Sequence, residues 1–212
     1  QYDKAIENYQ QALTIARKLG KEHHIAAILT NIGTVYKSWG QYDKAIENYQ
    51  QALTIARKMG AEHQIAVALG HIGSVYSRWG QYDKAMENYQ QSLTIARKLG
   101  AEREIAVSLS NIGTVYKSLG QYDKSIENQQ QSLAISRKLG DEQGISGALG
   151  IIGSVYQSLG QYDKAIENFQ QVLTLSRKLG KEAWVASSLS SIGMVYYKQQ
   201  QYDPAKKNLV ES

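Results

Sequence analysis

Cysteine is absent from the 212 residues, which excludes disulfides and thiolate metal sites. Proline occurs once, at Pro204, a place that the first turn of a helix tolerates. No apolar run approaches the roughly 18 residues that a membrane span needs. Histidine is scarce. His23 and His63 are equivalent residues 40 positions apart, so with His24 and His71 they form no ligand cluster, and no metal or other cofactor is expected. Serine is plentiful, but no GxSxG or Ser–His–Asp context surrounds it. The row Gly144, Gly147, Gly150 and Gly153 is followed by no GK[ST] and lies inside a helical pattern, which excludes a phosphate loop. These absences point away from an enzyme. The net charge of +5, from 24 basic and 19 acidic residues, is mild.

What is present is one unit, copied. QYDKAIENYQQALTIARK stands unchanged at 1–18 and 41–58. Close variants begin at Gln81, Gln121 and Gln161, and an eroded copy, QYDPAKKNLVES, begins at Gln201. The spacing is 40 residues throughout, with no insertion. A fixed period of this size implies stacked supersecondary units that each contact their neighbours.

Each unit reads as two helices. In the first, type B, Tyr42, Ala45, Ile46, Tyr49, Ala52, Leu53 and Ala56 form one apolar stripe of 3.6-residue period. Gly60 ends it as a left-handed cap. The second, type A, runs from about Glu62 to Arg78, and its apolar residues cover a wider arc. Gly73 sits in its middle, where glycine costs about 1 kcal/mol relative to alanine. Close approach of two helix backbones is the expected compensation. Gly80 marks the turn from A to B. The three recurring glycine sets take up fourteen of the 18 glycines, so glycine here is punctuation and not linker. Asp43, Glu47 and Glu62 in opening turns, and Arg57 and Lys58 in a closing turn, complement helix dipoles by about 0.3–1 kcal/mol each. As a repeated pair on a solvated face, Asp43 and Glu47 read as structural and not as an acid/base couple.

Leu29, Ile32, Gly33, Tyr36, Ala45, Tyr49 and Ala52 match the spacing W-x2-L-G-x2-Y…A-x3-F…A. The chain thereby resembles the tetratricopeptide repeat family over almost its whole length. Leu29 takes the Trp place and Tyr49 the Phe place. The closing proline would fall at Arg57 and is missing, because helix B runs on to Gly60. The unit of 40 residues, against the usual 34, resembles arrays of the kinesin light chain and bacterial signalling type. The resemblance implies an all-α, right-handed superhelical solenoid of antiparallel pairs, with about 11 helices. A helices would line a concave groove and B helices the convex back. The units would be an orphan B helix at 1–20, A-plus-B pairs at 21–60, 61–100, 101–140 and 141–180, and a truncated pair at 181–212, all in one solenoid.

A polar stripe on the A helices supports a groove. Thr30, Asn31, Thr34, Lys37 and Ser38 share one face in the first copy. Their equivalents include His71, Ser74 and Arg78, then Ser110, Asn111, Thr114 and Lys117, then Ser154 and Gln157, and finally Tyr197 and Lys198. These positions vary while the rest of the repeat hardly changes, as suits a surface that packing does not constrain. None of them is acidic. Four cations and His71 on that stripe suggest an anion-favouring groove. By the resemblance, Asn31 and Asn111 would hold the main chain of a bound peptide.

The expected function is therefore a scaffold that binds an extended, acidic peptide or protein segment. Single-stranded nucleic-acid binding and end-to-end self-association are the alternatives. The identities NIGTVYKS at 31–38 and 111–118, and LGHIGSVY at 69–76 against LGIIGSVY at 149–156, reveal an 80-residue super-period. Residues 121–158 read as a soft joint, because Gln129 and Ser125 replace the buried Tyr49 and Ala45, at a cost of roughly 2 kcal/mol for the aromatic. The chain opens within a unit, so it reads as a fragment. A cytoplasmic location is the default expectation.

Overall fold

A computed structural model describes residues 2–200 of the chain. Ten helices follow one another there: α1 (Tyr2–Lys18), α2 (Glu22–Ser38), α3 (Tyr42–Lys58), α4 (Glu62–Arg78), α5 (Tyr82–Lys98), α6 (Glu102–Ser118), α7 (Tyr122–Leu139), α8 (Glu142–Ser158), α9 (Tyr162–Lys178) and α10 (Glu182–Lys198). No strand occurs among the described residues. Odd-numbered helices are type B and even-numbered ones type A. The eleventh expected helix, within 201–212, lies outside the described residues.

Short turns make each helix antiparallel to the next. At the end of α3, Gly60 takes φ +62, a left-handed conformation that costs glycine nothing. Its N–H then donates to the Arg57 carbonyl at 3.1 Å, and the Ala61 N–H to the Ala56 carbonyl at 2.9 Å. This paired arrangement satisfies two terminal carbonyls and turns the chain at once. Gln200 takes the same kind of conformation, φ 61, without being glycine.

The contacts group into two compact units, Gln1–Asn111 and Ile112–Ser212, divided within α6. In the first unit, α2 packs on α3 and α4 on α5, with α3 between α2 and α4. One core cluster joins Ala45, Ile46, Tyr49 and Leu53 of α3 to Ala68, Leu69, Ile72 and Val75 of α4. In the second unit, Ala165, Ile166, Phe169 and Leu173 of α9 meet Leu189, Ile192 and Val195 of α10 in the same way.

The mid-helix glycines face aromatic rings and not, as expected, a helix backbone. A Cβ on Gly33 would lie 2.8 Å from Tyr49 Cε1, one on Gly73 2.8 Å from Tyr89 Cδ1, and one on Gly153 2.8 Å from Phe169 Cε1. The missing side chain is thus a notch that receives the partner's ring edge-on into the helix. In the fourth copy the ring is gone, and Gly113 faces the Gln129 amide instead. Trp39 and Trp79 sit at the A-to-B turns, where Trp39 stacks on Tyr2 with centroids 5.7 Å apart and Trp79 meets Tyr42 at 6.0 Å with the rings tilted by 45°.

Candidate functional site

In the first unit, the polar faces of neighbouring A helices leave hollows over the B helix between them. The first is about 260 Å³ and is walled by α2 and α4 over the small residues Ala52 and Ala56 of α3. Thr30 and Asn31 line it, as the spacing predicts. The next, about 330 Å³, lies between α4 and α6 over Ser92 of α5. His71, Ser74 and Asn111 line that one. The two expected main-chain binders, Asn31 and Asn111, therefore look into different hollows of the first unit.

Small side chains make these hollows. Where a larger residue would fill the gap between neighbouring A helices, the chain has Ala27, Gly70 or Ser108. The threonine hydroxyls are partly spent on their own helix. Thr30 Oγ1 donates to the Ala26 carbonyl at 2.9 Å and Thr34 Oγ1 to the Thr30 carbonyl at 3.0 Å. Thr34 Oγ1 also lies 3.0 Å from the Tyr49 hydroxyl, a contact that helps to fix that ring.

The electrostatics differ from the sequence reading in two ways. His71 stacks on Tyr49, with centroids 5.1 Å apart and planes 10° from parallel. Burial, reinforced by the nearby Lys37 charge, pushes its pKa down to about 4. It is therefore neutral at pH 7 and adds no charge to the groove. Second, Glu104 lines the hollow at His71 together with Arg103, and its carboxylate lies 3.9 Å from His63 Nδ1. The stripe as defined contains no acid, but its continuation one turn toward the helix start does. Spacing could have found Glu104, since it lies three residues before Val107 on the same face.

Lys37 and Arg78 are brought close enough to act on each other. Burial lowers the Lys37 pKa, and repulsion from Arg78 lowers it further. Lys37 is half-buried and Arg78 exposed, and an anion near both would be attracted by two cations. Tyr89, hydrogen-bonded to Ser74 and Ser77, has its pKa raised by burial to about 12.

In the second unit a hollow of about 460 Å³ lies between α8 and α10. Ser154 lines it, above Phe169 and Val172 of α9. The glycine row appears here, with Gly147 and Gly150 opening the wall. Trp184 forms the opposite lip, with Lys181 Nζ 3.8 Å above its ring. Spacing along the sequence does not single out Trp184, because an isolated Trp in an atypical copy has no periodic signal. Thr114, Lys117, Gln157, Tyr197 and Lys198 lie outside this hollow. Burial lowers the Lys117 pKa, whereas Tyr197 and Lys198 are exposed. Ser110 is half-buried on α6.

Repeats of 40 residues, antiparallel pairs and ring-into-glycine packing make a specific combination. A tetratricopeptide repeat model matches residues 1–58, 40–98, 64–138 and 144–212. The chain belongs to the tetratricopeptide repeat family. Solved structures agree on the fold. BtubC (BKLC) from P. vanneervenii superposes with a TM-score of 0.87 at 20% identity, over 99% of this chain and 89% of that one. A Rap protein complexed with Competence and Sporulation Factor gives 0.80 at 18% identity, over 99% and 69%. Aspartyl phosphate phosphatase F from Bacillus subtilis gives 0.81 at 14% identity, over 99% and 66%. No curated protein sequence matches the chain. Among the described residues of this tetratricopeptide repeat array, no group of three or more His, Asp or Glu side chains could hold a metal ion. No described helix is long and apolar enough to cross a membrane.

Proposed function

We propose that this array is a non-catalytic scaffold that binds an extended, acidic peptide or protein segment along its A helices. The observation that carries this reading is the pair of hollows between A helices that Asn31, His71, Ser74 and Asn111 line, on helices that also carry Lys37 and Arg78. A bound carboxylate would offset the burial and the repulsion from Arg78 that lower the Lys37 pKa. Asn31 and Asn111 each offer one acceptor and two donors, the complement of a peptide group. Small wall residues leave room for a main chain and modest side chains. The Rap relative, solved with a factor bound, shows that a related fold accommodates a partner. Glu104 makes the reading more specific, because a ligand crossing the hollow of α4 and α6 should be neutral or basic opposite that carboxylate and acidic near Lys37.

The test is a fluorescence titration of the array with an acidic peptide library and with single-stranded RNA, each at low and high salt. Saturable peptide binding is expected to weaken at least tenfold with Lys37→Ala and Arg78→Ala together. Asn31→Ala and Asn111→Ala should weaken it at every salt concentration. RNA bound more tightly than every peptide, with a steep salt slope, would overturn the proposal.

A further inference from the structure

The hollow between α8 and α10 has a counterpart between α4 and α6, 80 residues earlier at the same place in the repeat. Eight of the eleven residues that line the earlier hollow are replaced in the later copy, against nine of the other thirty-five between 66 and 111. The divergence is concentrated in the lining, so it alters what the hollow accepts more than how the helices pack. Arg103, Glu104 and His71 give way to Ala183, Trp184 and Ile151, and Ser92 on the floor gives way to Val172.

None of the described residues that line the later hollow is charged. Two of its serines add little polarity, because Ser188 Oγ donates to the Trp184 carbonyl at 2.7 Å and Ser191 Oγ to the Ser187 carbonyl at 2.9 Å. A charged side chain would lose its hydration there without gaining an opposite charge. Two aromatic rings bound the space, Phe169 in the floor and Trp184 at the lip. Lys181 Nζ, 3.8 Å from the Trp184 ring centre, braces that ring. Gly147 and Gly150 hold the opposite wall back, since a Cβ on either meets nothing within 4 Å. The result is a hollow of about 460 Å³, against about 330 Å³ for its counterpart.

We propose that the hollow between α8 and α10 is a specificity pocket for one aromatic side chain of the bound segment. The ring enters between Trp184 and the wall of Gly147 and Gly150, and meets Phe169 beneath. Aromatic rings gain from offset-stacked or edge-to-face contact with one another, beyond the area they bury. An aliphatic side chain would fill the same apolar space without that gain. The glycine wall suits a flat group, because it lets the ring lie against backbone where a side chain would block it. The source of the ring rests on the peptide reading above, whereas the preference for a ring rests on the lining alone.

The probe is N-acetyl-phenylalaninamide, titrated by NMR into the 212-residue chain made with isotope-labelled tryptophan. The chain has three tryptophans, Trp39, Trp79 and Trp184, and Trp184→Phe identifies the third indole signal. That signal is expected to move saturably while the other two stay in place. N-acetyl-leucinamide should bind at least threefold more weakly. Gly150→Leu fills the hollow from an open position and should weaken the aromatic amide at least tenfold, with the Trp39 and Trp79 signals and the circular dichroism unchanged. Gly147→Leu, from the same wall, should act alike. No saturable shift, three signals moving together, equal binding of the leucine amide, or indifference to both leucine variants would overturn the proposal. A second arm compares two acidic peptides that differ by one phenylalanine for alanine. The phenylalanine peptide should bind more tightly to the unaltered chain but not to Gly150→Leu. Equal binding of the two peptides would overturn the proposal and leave the peptide reading standing. A bound amide with neither peptide bound would overturn the peptide reading, and with it the source of the ring, while the pocket itself would stand.

Discussion

At the scale of single residues, two kinds of glycine share one helix type. Gly73 is a notch filled by Tyr89, whereas a Cβ on Gly147 would meet nothing within 4 Å. Gly73→Ala gains helix propensity but drives a methyl group into a ring, and the net loss should be about 1–3 kcal/mol. Gly147→Ala gains the propensity with no clash and should stabilise by up to about 1 kcal/mol. Urea denaturation of the two variants checks the opposite signs. His71 gives a second residue-scale prediction. Its folded pKa of about 4 lies below the unfolded value near 6.5, so the unfolded chain takes up the proton first as pH falls. Stability from the neutral imidazole is complete above about pH 6.5 and is lost as pH falls through about 4, by an amount on the order of 3 kcal/mol. His71→Ile, which copies Ile151 at the equivalent place, should flatten the stability profile in that window.

At the scale of the element, α7 is the weakest of its type. Its core face carries Ser125, Gln129, Ser132 and Ser136, all buried. Ser125 Oγ is buried with no hydrogen-bond partner, a state that costs about 1–3 kcal/mol. Ser125→Ala should therefore raise stability by about 1 kcal/mol. Gln129→Tyr should add about 2 kcal/mol by returning a ring to the Gly113 notch. Thermal melts of the single and double variants check both, and a double variant no more stable than the parent would refute this account. The same feature was legible in the sequence, because the departure of Gln129 and Ser125 from the repeat is visible in any copy-to-copy comparison. The reason for the neighbouring glycine was not. A glycine at fixed spacing announces close approach, but whether a backbone or a ring approaches depends on the offset of two helices, which lies outside either helix's own sequence.

At the scale of the whole molecule, stability in a repeat array is a sum over units and their nearest neighbours. Among the described residues, the first unit buries two polar side chains, Ser92 and Ser108, and the second buries seven. Ser92 is well served, since its Oγ donates to the Ala66 carbonyl at 2.8 Å. The second unit should therefore open first. Hydrogen exchange under mild denaturant is expected to be faster in α7 and α8 than in α3 and α4, and equal rates would refute the ordering.

The repeat, the helix pairing, the turn glycines and the family followed from the sequence alone, because local periodicity and backbone conformation are encoded within each 40-residue copy. Spacing alone also puts Thr30, Asn31, His71, Ser74, Asn111 and Ser154 on the helix faces that line the hollows, since helical geometry fixes those faces whatever the helix packs against. The charge of that face was decided only by tertiary structure. Burial, reinforced by Lys37 from another helix and another copy, holds the His71 pKa down to about 4, and Glu104 reaches the hollow because α6 is laid beside α4. Desolvation and Coulomb interaction depend on distances across the fold, and no pattern along one helix contains them.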